Sequence, residues 1–83
     1  MSIEQVRLAR KRAVGTKQAL RAVAKGKVQA VFVASDADER VTRDIIRECS
    51  QKGIPVTVVD SMIALGKACG IQVGAAACAI VEQ

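Results

Sequence analysis

One stretch, Gly15-Thr16-Lys17-Gln18-Ala19-Leu20-Arg21, holds the side chains most able to do chemistry, and it opens a run of helical spacing. A lysine in a first helical turn meets the positive end of the helix dipole, at a cost of about 0.3–1 kcal/mol. Lys17, Arg21 and Lys25 then follow at four-residue intervals, where each like-charge pair costs about 0.2–0.5 kcal/mol. Folding gains nothing from that arrangement. A phosphate or a base-edge acceptor turns the cost into affinity, because the free N–H groups of a helix start already point outward. The bland alternative is a solvated stripe, but such faces usually mix both signs of charge. This one does not.

The second candidate is Ile71-Gln72-Val73, an apolar loop bracketed by Gly70 and Gly74. The glycines allow unusual backbone angles and close approach to a partner. Either Ile71 and Val73 pack on the core, or they stack on an exposed base beside the basic helix start. Arg10-Lys11-Arg12 reads as an ordinary basic helix end, where cations suit the dipole. Asp36/Asp38 and Asp44/Glu48 could serve as acid–base or metal carboxylates, but exposed loop and helix charges are far commoner.

Other chemistry is ruled out by what is missing. The 83 residues contain no His, Trp or Tyr and one Phe, so the common general base and the commonest metal ligand are both absent. No glycine stands where a phosphate-cradling P-loop needs one ahead of Gly26-Lys27 or Gly66-Lys67. The expectation is a protein that is not an enzyme and carries no cofactor or metal. Single-strand readers stack bases on aromatic side chains, and Phe32 falls in a strand that reads as buried. A structured RNA of distinctive shape is the better fit.

The charge is lopsided. Net charge is +5, yet residues 1–27 hold eight basic residues against Glu4 alone, while residues 28–83 hold five bases against seven acids. A strongly positive pole on a small domain commonly meets a polyanion. At 51% hydrophobic and 25% charged, the composition is that of a folded domain, and one domain over 1–83 is expected. No apolar run is long enough to span a bilayer, and the charged N-terminus has no signal-peptide pattern. Cys49, Cys69 and Cys78 form no C-x-x-C pair, which suggests buried thiols in a reducing, cytoplasmic setting.

Alternating helices and strands must position these residues. Ser2 and Gln5 fit a capping box, and Ile3, Val6, Ala9 and Ala13 predict a helix over 3–12. Thr16 is the expected N-cap of a second helix running to Lys25, with Leu20, Val23 and Ala24 inward and Gly26 as its stop. Val28–Ala34 is β-branched and apolar, as a central strand covered on both faces should be. Asp38 is the candidate N-cap of a third helix over 39–51, with Val41, Ile45 and Cys49 buried and Glu39 paired with Arg43. Val56–Val59 reads as a strand, Asp60 or Ser61 as the cap of a short helix through Met62, Ile63 and Leu65, and Ala75–Val81 as a last strand of small residues. The expected fold is α/β, a three-layer α/β/α sandwich around a small mixed sheet of about four strands.

Taken in order, Gly15–Arg21, VFVASDAD at Val31–Asp38, Ile54-Pro55 and LGKACGIQVGAAA at Leu65–Ala77 resemble the ribosomal protein L-seven-Ae family, in particular its small bacterial YbxF-type members. The likeness covers essentially the whole chain at the family's spacing. It implies a monomeric kink-turn RNA-binding protein, with ribosomal or riboswitch RNA as partner. A kink-turn is a sharply bent duplex in which a bulge is followed by tandem sheared G·A pairs. The resemblance implies that Gly15, Thr16, Lys17, Gln18 and Arg21 contact those guanines, and that Ile71, Gln72 and Val73 cover the bulge. The archaeal pattern reads G-x-N-E-x-x-K, whereas here Lys17, Gln18 and Arg21 occupy the Asn, Glu and Lys places.

Two other readings compete. An interaction or RNP assembly module using the 71–73 loop, with RNA recognition weakened or lost, is motivated by Gln18. A nucleotide site after the Val31–Ala34 strand rests on α/β analogy alone and has no Gly-rich loop there.

Overall fold

A computed structural model describes residues 3–82, and the expected Ser2 cap lies outside them. Four helices, α1 (Glu4–Leu8), α2 (Thr16–Lys25), α3 (Glu39–Lys52) and α4 (Met62–Ala68), alternate with four strands, β1 (Arg12–Val14), β2 (Val28–Ala34), β3 (Val56–Val59) and β4 (Ala77–Val81). The sheet order is β1-β4-β2-β3. β4 runs antiparallel to both neighbours, while β2 and β3 are parallel. The expected mixed, three-layer α/β/α sandwich is the fold.

Two apolar clusters fill the two sides of the sheet. Ala30, Phe32, Ala34, Cys78 and Ile80 face Val6 of α1 and Leu65 and Ala68 of α4. Val31, Val33, Ala77 and Ala79 face Ala19 and Val23 of α2 and Ile45 and Cys49 of α3. Strand alternation dictates this division, and the register shift between Val28 and Ala30 moves Val28 onto the second side. All three cysteines are buried free thiols.

Several expectations need correction. The helical spacing over 3–12 holds only to Leu8, because Ala9 turns extended at ψ 136 and Arg12–Val14 pairs with β4. A short helix is marginal alone, whereas the open edge of β4 offers ladder bonds. Gly15, not Thr16, is the N-cap of α2; its φ of 92 makes the direct turn from β1 into the helix, an angle glycine adopts readily. On α2 the inward residues are Ala19 and Val23, with Leu20 and Ala22 half-buried and Ala24 exposed. On α3 Thr42 takes the buried place expected of Val41, which is 45% exposed. Thr42, Ile45 and Cys49 recur at the three- and four-residue steps of one face, and Val41 falls at its margin. The ion pairs there are Arg40 with Asp38 and Arg47 with Asp44, rather than Glu39 with Arg43. Ser61 is the α4 cap, its Oγ accepting from the Ala64 N–H at 3.0 Å, and β4 begins at Ala77 rather than Ala75.

Candidate nucleic-acid interface

Both candidate segments converge on the start of β4. Val14 is the register partner of Cys78, and the next residue, Gly15, donates its N–H to Ala77 O at 2.9 Å. The helix α2 therefore leaves the sheet where β4 enters it. The loop at Ile71–Val73 reaches that same point through Gly74, Ala75 and Ala76. Strands β2 and β3 also end there, since the Ala34 N–H bonds Ala76 O at 2.9 Å and the Ser35 N–H bonds Val59 O at 2.8 Å. Ligands of open α/β sheets gather beyond the carboxyl ends of strands.

No side chain caps α2, and no acidic residue lies in its first turn. Its leading N–H groups are left without the usual cap partner, and the Thr16 Oγ1 is buried with no hydrogen-bond partner. Lys17, Gln18, Arg21 and Lys25 are exposed. Among the described residues the ion pairs are Arg7–Glu4, Arg40–Asp38 and Arg47–Asp44, so the cations of α2 are unpaired. A groove of about 320 Å³ runs beside them, lined by Gln18, Arg21, Lys25 and Lys27 with Ala13 and Val81. On the other flank Arg21 shares a groove of about 440 Å³ with Asp44, Arg47 and Glu48 of α3.

The loop resolves the two readings of its apolar residues one by one. Ile71 is half-buried against the α4 side of the core, whereas Val73 is 70% exposed and Gln72 is exposed. Three bonds seat the loop. The Gly70 N–H bonds Lys67 O at 3.0 Å, the Ile71 N–H bonds Gly66 O at 3.0 Å, and the Ala75 N–H bonds Met62 O at 2.9 Å. The lone anchor side chain thus points inward while the next two residues face out.

The carboxylates have other work. Asp36 accepts from the Met62 N–H at 2.8 Å, at the start of α4. Asp38 caps α3, accepting from the Arg40 N–H at 2.9 Å and from its guanidinium; the side-chain bond, then the backbone bond, holds its carboxyl below the usual range. Among the described residues no three His, Cys, Asp or Glu side chains gather to hold a metal ion, and no helix is long and apolar enough to cross a membrane.

Arg12 is the positioning residue the sequence reading missed. It belongs to β1, yet its guanidinium donates to Val6 O at 2.7 Å, Arg7 O at 3.3 Å and Ala68 O at 3.5 Å. It therefore pins the C-terminal ends of α1 and α4 together, where the helix dipoles favour a cation. The basic helix end expected at Arg10-Lys11-Arg12 is not one, since α1 stops at Leu8 and Arg12 lies in β1; only the fold brings its cation to the carbonyl ends of α1 and of α4, 56 residues away. Beside it, the neighbouring Cys78 thiol, which donates to Ala79 O at 3.8 Å, draws the Cys69 thiol down to about 7, with Arg12 assisting against burial. The nearby Cys69 thiol and burial push Cys78 up.

Against known proteins, the model of the ribosomal protein L7Ae/L30e/S12e/Gadd45 family matches residues 2–83. An RNA-binding protein of Geobacillus sp. strain WCH70 is 52% identical over 82 residues, covering 99% of this chain and 100% of the relative. RNA-binding protein YbxF of Geobacillus stearothermophilus is 49% identical over 82 residues, with the same two coverages of 99% and 100%. Among solved structures, the Giardia lamblia 15.5 kD RNA binding protein superposes with a TM-score of 0.86 at 28% identity, over 98% of this chain and 68% of that one. With the match running through α2, the seated loop and all four strands alike, the chain belongs to the ribosomal protein L7Ae/L30e/S12e/Gadd45 family.

Proposed function

We propose that this protein binds RNA, and that the RNA it recognises is a kink-turn, the bent duplex with a bulge and tandem sheared G·A pairs. The observation that carries the reading is the uncapped, acid-free start of α2, with exposed Lys17, Gln18 and Arg21, at the sheet end where the 71–73 loop enters β4. RNA binding is also what the names of its relatives state of those proteins.

In this reading α2 enters the opened major groove start-first. The backbone N–H groups and Lys17 meet phosphate or base-edge acceptors. Gln18 offers one neutral carbonyl oxygen to a guanine N–H. Arg21, one turn on, presents a fork suited to guanine O6/N7 or to phosphate. Gln72 and Val73 lie over the bulge nucleotides, with Ile71 holding the loop from within. The protein is not an enzyme here; it stabilises the bent conformer by contacting it more extensively than the straight one. Ribosomal or other RNP-associated RNA in the cytoplasm is the setting that fits.

A gel-shift comparison of a kink-turn RNA with the same RNA carrying disrupted G·A pairs tests this. Much tighter binding to the intact motif is expected. Equal binding rejects it and favours the assembly-module reading, in which exposed Val73 meets a protein.

A further inference from the structure

A glycine inside a helix is a stability cost, yet α4 carries Gly66 among seven residues, and Gly66 is buried. Its place is explained by what lies against it. A Cβ at position 66 would overlap the Val73 carbonyl oxygen and come within 3.1 Å of Val73 C and 3.2 Å of Gly74 Cα. From the other side, a Cβ at Gly74 would lie 3.0 Å from Met62 Cβ and 3.3 Å from Met62 C. Helix and loop therefore cross backbone on backbone, closed by the bonds from Ile71 N–H to Gly66 O and from Ala75 N–H to Met62 O. No rotamer relieves a clash with a carbonyl. Any side chain at 66 must lift the loop.

We propose that Gly66 is a positioning residue for RNA recognition, and that its missing side chain sets the depth at which the loop rides on α4. That depth fixes where Gln72 and Val73 stand relative to the start of α2. The inference rests on the kink-turn reading for its partner, but the seating itself is a property of the free protein. It is separable from the core, because Leu65 and Ala68 face the sheet while position 66 faces the loop. An alanine there also suits the helix better than glycine, so α4 should survive the substitution.

The test uses the full chain as wild type, Gly66→Ala and Gly74→Ala. Without RNA, amide exchange at Ile71 and Ala75 should speed by tenfold or more in Gly66→Ala, with shift changes centred on residues 70–75 and β-sheet amides unmoved. Gly74→Ala, with its milder approach, should fall between. The RNA probes are a kink-turn hairpin and the same hairpin with abasic sites in place of the bulge nucleotides. Wild type should bind the intact hairpin at least tenfold more tightly than the abasic one, and in Gly66→Ala that ratio should collapse towards one, the coupling a double-mutant cycle reads. A merely destabilising substitution would weaken both RNAs alike and leave the ratio intact. Unchanged exchange and shifts in the loop, or a wild-type ratio in Gly66→Ala, overturns the proposal. A wild type that ignores the G·A pairs overturns the kink-turn reading instead, while the ligand-free exchange still decides the seating. If Gly66→Ala does not fold, Gly74→Ala carries the same two measurements.

Discussion

Gln18 stands exposed in the first turn of α2 beside Lys17, in the place where the archaeal pattern of the resembled family has a carboxylate. Gln18→Glu adds a negative charge near phosphates, which weakens the long-range salt-dependent attraction. It also supplies a charged acceptor for guanine N–H groups, and such bonds are roughly twice as strong as neutral ones. Lys17 and the helix start offset the added charge, so tighter binding to an ideal kink-turn is expected, with a larger loss when a sheared guanine is replaced. Binding curves on matched and guanine-substituted RNA at one salt check this. Weaker binding to both would place Gln18 against phosphate. Arg21→Ala should cost about 1–3 kcal/mol of kink-turn affinity if the guanidinium makes a bidentate contact. Lys25→Ala, a turn farther from the helix start, should cost less and without regard to sequence. Titrations in which Lys25 matters more would move the contact up the helix.

At the scale of elements, α4 matters beyond its seven residues, since it carries the loop. Ser61 Oγ accepts from the Ala64 N–H at 3.0 Å, so Ser61→Ala should lower stability by about 0.5–2 kcal/mol. Urea denaturation should show an earlier midpoint with an unchanged slope. Where α4 ends, the Cys69 thiol is drawn from 9.0 to about 7 by the Cys78 thiol. A depressed folded value favours the thiolate in the native state, so this contribution grows as pH rises from 7 to 9 and fades as pH falls through 7, while the raised Cys78 thiol opposes it above pH 9. Wild type should accordingly gain stability over Cys69→Ala between pH 7 and 9; a flat difference in melting temperature would refute it. Element starts and stops were legible where a side chain acts locally: Asp38 and Ser61 cap as their types suggest, and Gly26 and Gly53 end α2 and α3 in left-handed backbone. β1 was not legible. Three residues of helical spacing become a strand only because β4, more than sixty residues on, lies alongside them.

Over the whole molecule, eight of the thirteen basic residues lie in the first 27 positions, and α2 lines up three of them, Lys17, Arg21 and Lys25, away from the sheet end where the loop enters β4. Binding there should shift a flexible RNA towards its kinked population rather than force a bend. End-labelled fluorescence transfer should therefore rise on titration at low magnesium, and the binding constant should fall steeply with salt. Demonstrated binding without any change in transfer would remove this mechanism.

Composition and order were enough to determine the α/β class, the bounds of β2 and β3, and the end of α2 at Lys25. They were enough because strand and helix periodicity, glycine stops and side-chain caps act over a few residues. The charge of the candidate site was legible for the same reason. What only the tertiary structure decided is how that site is assembled. Thr16 yields the cap to Gly15 because β1 feeds straight into α2. Val73 stays out and Ile71 goes in because α4 passes beneath the loop, and Arg12 ties α1 to α4 across 56 residues. Each of these depends on which distant backbone comes to lie alongside, and no local pattern encodes that.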